Sequence, residues 1–198
     1  MRTPSFMPYA AGLAAALILS GCAAEEVSLA VPTPVTTPSS RTAEPPSTTP
    51  ATTVDPVVAR IPQAARADTQ EGAEAFAKFF IEQVTDSFVE GDPDLLSGLF
   101  VDDCKTCINF RKTASYFESK GQHYAKRSFV TEHTSIRRFL HDDPVKFVEV
   151  AGHEIEVDIV DRTGARLEST KPNDNISFVL AIEFDEHWTV SAVHVEQR

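Results

Sequence analysis

The chain lacks a long hydrophobic run. Its main uncharged apolar stretch, Ala10 to Leu19, is ten residues. At about 1.5 Å per residue it spans roughly 15 Å, against roughly 30 Å of bilayer hydrocarbon, which excludes a transmembrane helix there. Basic residues are scarce, with 18 Lys and Arg against 29 Asp and Glu. A surface of that sign repels phosphate backbones and anionic lipid, so nucleic-acid binding is excluded. Cysteine is rarer still, with three, at positions 22, 104 and 107. A structural zinc site would need a second cysteine pair, which the chain does not contain. The histidines at 123, 133, 141, 153, 187 and 194 form no helical pair three or four residues apart and read as scattered surface residues. No metal, cofactor or internal repeat is expected.

Arg2, the apolar run and the small residues after it follow the order of a secretory signal. The run closes on Leu19-Ser20-Gly21-Cys22, which resembles the lipobox of bacterial lipoproteins. That resemblance implies a signal peptide over residues 1–21 and a diacylglycerol thioether on Cys22, the first residue after cleavage. Two acyl chains make a stable anchor where one binds marginally. Loss of Arg2 leaves 17 basic against 29 acidic residues, a formal charge of −12. The expected location is the extracytoplasmic side of a cell membrane, held by lipid.

Residues 23–68 hold eight prolines and twelve Ser or Thr, with almost no aromatic or periodic apolar pattern. Such a segment buries too little apolar surface to offset its ordering entropy, and residues 22–68 are expected to form a disordered stalk. If the source is actinobacterial, its Thr-Pro and Ser-Pro clusters are candidates for O-linked sugars. Residues 69–198 hold every Phe except Phe6, and this length suits one domain.

Within the domain, Asp68 and Glu71 mark a capping-box-like start. Ala73, Phe76, Phe80, Val84 and Phe88 then recur at helical spacing up to a stop at Gly91. Asp92-Pro93 opens a short second helix to about Leu99, and a third runs from Asp102 or Asp103 to Lys120. Strands follow over Ser128–Leu140, Val145–Val150 and His153–Val160, the last with Ile155, Val157 and Ile159 on one side and Glu154, Glu156 and Asp158 on the other, which should face water. Asp161–Asn175 reads as a loop, and Ile176–Phe184 with Trp188–Glu196 as a hairpin. The expected fold class is α+β, three N-terminal helices packed on one face of a curved antiparallel sheet.

The stretches Ala75–Phe80, Phe88–Asp92 and Leu95–Phe100, with Trp188-Thr189-Val190 opening the closing strand, resemble the cone-shaped nuclear-transport-factor-2-like superfamily and its SnoaL-like domains. More closely, Gly91-Asp92, Leu96–Leu99, Cys104-Lys105-Thr106-Cys107 and the lipobox with its stalk are similar to an actinobacterial lipoprotein family, domain of unknown function 6318. The resemblance covers about residues 70–198 and implies fold and location, with no catalytic residue. Homodimerisation through the open sheet face is a further implication of it.

Cys104 and Cys107 are the thiols left after Cys22 and, outside the cytoplasm, are expected as a disulfide clipping the loop to the third helix. The alternative is a redox-active dithiol, disfavoured because Asp102 and Asp103 raise a thiolate pKa. Cone-fold enzymes use a carboxylate with a Tyr or His inside the pocket; Tyr116 and His153 are the candidate pocket residues here, with Tyr124 and Asp158 behind them. Lys120, Lys126, Arg127, Arg137 and Arg138 form either a patch for anionic heads or an acidic partner, or solvated strand-edge positions. Asn175-Ile176-Ser177 fits a glycosylation sequon, idle in a bacterial lipoprotein. The expected function is a binding or interaction module for an envelope protein or small apolar ligand, and the alternative is a small enzyme acting on an apolar metabolite. A filled interior with an exposed apolar rim favours the first and a pocket with a buried acid–base pair the second.

Overall fold

The computed structural model describes Asp55–Gln197. The expected signal peptide, Cys22 and the stalk as far as residue 54 lie outside the described residues. The longest helix, α2 (Gln70–Glu90), starts one residue later than the sequence pattern implies, because Thr69 is the cap. Its hydroxyl accepts the Gly72 N–H at 3.1 Å. Phe76, Phe80, Ile81 and Val84 turn to the interior. The helix ends where Gly91 takes φ +62°, a left-handed conformation that suits a residue without a Cβ, and the Asp92 N–H returns to Ser87 O at 3.1 Å. The third α-helix, α3 (Lys105–Lys120), stops in the same way at Gly121, φ +61°.

Between them the expected second helix is a single 3₁₀ turn, Pro93–Leu96. It stops short of Leu99 because the next residues serve a strand. The Val190 N–H donates to Leu99 O and the Val101 N–H to Val190 O, each at 3.0 Å.

The strands are β1 (Gln122–Tyr124), β2 (Phe129–Arg138), β3 (Val145–Glu154), β4 (Asp158–Asp161), β5 (Arg166–Ser169), β6 (Asn173–Phe184) and β7 (Trp188–Gln197). They form two antiparallel sheets, β2-β3-β6-β7 and β1-β4-β5. The inner face of the four-stranded sheet presents Val148, Val150, Phe178, Leu180 and Ile182 to the core that α2 covers, and α3 packs on β7. The α+β class and the helices-on-sheet arrangement are therefore as expected, and the sheet is divided.

The division corrects the reading of His153–Val160 as one strand. At Glu154 the chain leaves the large sheet: the Ile155 N–H bonds Ser128 O at 2.8 Å, and Val157 exchanges bonds with Thr170 before β4 begins. Alternation persists around that corner, so the sequence pattern hides it. The expected loop 161–175 contains β5 and the first residues of β6. In β7 a register shift opposite Ala181 and Ile182 changes the alternation after Val190, so Val193 points in and His194 is exposed.

The stalk boundary at 68 is also corrected. A short helix, α1 (Pro56–Arg60), and a 3₁₀ turn at Gln63–Ala65 belong to the domain. Ile61 and Ala65 are fully buried in the main core. The Arg60 guanidinium donates to the carbonyls of Asp94, Leu95 and Ser97, and the Trp188 indole N–H donates to Ala67 O at 2.9 Å. Composition missed this segment because long-range contacts hold it and it has little periodic apolar face of its own. Ile61→Ala is expected to cost about 2–5 kcal/mol in urea unfolding, the range for a buried aliphatic truncation, whereas a stalk residue would cost nothing measurable.

Candidate functional site

The interior between α2, α3 and the sheets is occupied by aromatic rings. Phe88 meets Phe110, Phe117 and Tyr124 at centroid distances of 6.4, 6.1 and 5.6 Å. Phe110 continues to Phe178 at 6.4 Å, and Phe178 to Phe129 at 5.1 Å. Edge-to-face packing of this kind fills space without leaving a chamber.

The accessible spaces lie between surface elements. One of about 160 Å³ sits between α2 and β2 beside Lys78, Thr85, Arg127 and Thr131. A second, of about 270 Å³, runs along β7 beside the cysteine pair, and a third, of about 510 Å³, lies at the β2–β3 turn around Leu140 and His141. Two more, of about 270 and 190 Å³, flank Arg162 at the ends of α2 and α3.

Tyr116 and His153 line none of these spaces, and the structure does not bring them together. Tyr116 is 53 % exposed on α3, its ring 5.8 Å from the Lys120 ammonium. His153 lies on β3, and alternation from Val150 puts it on the outer face, away from the helices; its Nδ1 is 2.9 Å from Glu132 Oε1. Asp158 is held by Arg166 and by the Ser169 hydroxyl. The expected pocket is corrected on the ground that its space is filled and its residues face outward.

One perturbed acid was not visible in the sequence. Glu154, read there as solvent-facing, is half-buried at the corner between the sheets, and burial raises its carboxyl above the usual range. Tyr124 is raised as well, by burial and then by the negative charges of Glu154 and Glu168. The pair has the composition of an acid–base site, and neither residue lines any of the spaces described above.

Cys104 and Cys107 are joined as a disulfide at the start of α3. Both are buried, 2 % and 0 % exposed, and Cys104 borders the space along β7. Three of the five basic residues weighed as a patch or as strand-edge positions are paired with acids. Arg127 makes a two-pronged pair with Asp86 at 2.5 and 2.6 Å, Arg138 pairs with Asp143 at 2.8 Å, and Arg137 is bonded to Glu149 and Glu196. Among the described residues no cluster of ligands suits a metal ion, and no helix is long and apolar enough to cross a membrane.

These elements define an α+β domain with a packed interior. No family model and no curated protein matches the chain. Among solved structures it is similar to the intermembrane-space region of the chloroplast protein ARC6, at 12 % identity over 67 % of this chain and 99 % of that one, with a TM-score of 0.48. A likeness of that depth carries no argument about activity.

Two outcomes follow from this geometry. Replacing both Cys104 and Cys107 by Ser is expected to lower stability by about 2 kcal/mol, the chain-entropy value for so short a loop, and the native disulfide should resist reductant until the domain unfolds. For Glu154, a raised folded pKa means that ionisation opposes folding. The penalty is absent well below the ordinary 4.5 and complete above the raised value. Glu154→Gln should therefore stabilise the domain at neutral pH and leave it unchanged in acid, as read by thermal unfolding across pH.

Proposed function

We propose that this chain is a lipid-anchored lipoprotein of the cell envelope whose domain is a non-enzymatic interaction module on the extracytoplasmic side. The observation that carries the reading is the aromatic filling from Tyr124 to Phe129, which leaves recognition to the outer surface. A disulfide in a chain with so few cysteines supports an oxidising compartment. Leu19-Ser20-Gly21-Cys22 supports anchoring by lipid, and the resemblance of residues 70–198 to domain of unknown function 6318 supports the same setting. The second reading, a small enzyme for an apolar metabolite, rests on the perturbed Glu154 and Tyr124 pair.

The test begins with Cys22→Ser expressed in a bacterial host and fractionated. The wild-type protein is expected in the membrane fraction and the variant in the soluble extracytoplasmic fraction; retention of the variant in the membrane would sink the lipid anchor. Native mass spectrometry of the protein from its own envelope then separates the readings. A bound protein partner with no small-molecule adduct supports the module, and an apolar small molecule that stays with the domain supports the enzyme.

A further inference from the structure

Arg137 is the extra residue of the β2 bulge between Ile136 and Arg138. A bulge re-aims a side chain out of the strand's alternation. Here the side chain runs across the outer face of the large sheet. Its Nε donates to Glu149 Oε2 on β3 at 3.0 Å, and its two terminal nitrogens donate to the two carboxylate oxygens of Glu196 on β7 at 3.0 and 2.7 Å. Strand β6 lies between β3 and β7. The register sets Val179 beside Glu149 and Ser177 beside Glu196, so a guanidinium bonded to both acids lies over that part of β6.

The helices pack on the opposite face, yet part of this one is also buried. Ala151, Val179 and Ala181 are 4, 6 and 6 % exposed, and Ser177 is fully buried with no hydrogen-bond partner for its Oγ among the described residues. The closed arrangement therefore holds opposing terms. Three charge-assisted hydrogen bonds favour it, and a stranded hydroxyl opposes it. Opening reverses both, because water then reaches Ser177.

We infer that Arg137 is an acid-released latch between the two edge strands, closed while Glu196 is ionised and opened by its protonation, which uncovers the apolar strip of Ala151, Val179 and Ala181. The groups facing the guanidinium are Glu149 from β3 and Glu196 from β7, with His194 beside Glu196; β6 contributes Ser177 and Val179, and Arg138 is turned to Asp143. The hydrogen bonds from Arg137, and then the charges of Arg137 and His194, hold the Glu196 carboxyl below its ordinary 4.5 against some desolvation. For a depressed acid the stabilisation is complete above that ordinary value and is lost as pH falls through the folded one. The latch is thus shut at neutral pH. It does not depend on the domain being an interaction module.

The test uses the chain from residue 22 onward carrying Cys22→Ser, with an NMR titration of the glutamate carboxyl carbons and an apolar-surface dye read in parallel. With Arg137 present, the Glu196 midpoint is expected below 4.5, and dye fluorescence should rise as Glu196 takes its proton while far-ultraviolet circular dichroism holds. In Arg137→Met the midpoint should rise above that of the parent and the dye should bind at neutral pH. Glu196→Ala should also bind dye at neutral pH, and it decides the matter if Arg137→Met does not fold. A Glu196 midpoint at or above 4.5 with Arg137 present, or a folded variant whose dye binding at neutral pH matches the parent, overturns the latch.

Discussion

One long helix has to cover the inner face of four strands. Phe76, Phe80 and Val84 of α2 share a core with Val148, Val150, Phe178 and Leu180, and α2 packs against β2, β3 and β6 at once. Each such side chain contributes about 1.5–3 kcal/mol on full burial, so this layer dominates the stability of the domain. Most other elements close what α2 leaves open. Helix α3 lies along β7, and the aromatic chain from Phe88 to Phe129 fills the space beyond it.

At one end of that layer the closing group is a cation. Lys146 sits on the inner-facing side of β3 and is buried, with its ammonium donating to the carbonyls of Leu140, His141 and Asp143. The Phe139 ring lies 4.9 Å away. A buried ammonium is tolerated when all three protons find acceptors, and the β2–β3 turn supplies them. The turn is thereby folded over its own lysine, which helps to shape the space around Leu140 and His141.

Features set by local periodicity were legible in the sequence. The α2 face, the stops at Gly91 and Gly121, the β6–β7 hairpin and the cysteine pair all follow from residues within a few positions of one another. What was not legible depends on distant partners. Residues 55–68 look like stalk because Trp188 and the carbonyls of residues 94–97 hold them. Arg137 looked like one member of a basic run because its partner Glu196 lies 59 residues away. The corner after Glu154 left that residue half-buried between the sheets, and the register shift in β7 reset the alternation after Val190, since a one-residue slip moves a side chain to the other side of a sheet. Tyr116 and His153 were grouped by residue type, and nothing in their spacing carried the information that one lies on α3 and the other on the far face of β3.

The bond from Trp188 to Ala67, with the three carbonyls gripped by Arg60, joins the first described residues to the start of the last strand. In mechanical terms it is a load path. A pull on the chain at Asp55 is received by the Pro93–Leu96 turn and the β6–β7 hairpin before it reaches the first turn of α2. Shearing those contacts requires several hydrogen bonds to break together, whereas peeling α2 would break them one at a time. The domain is thereby reinforced at the point where its chain enters.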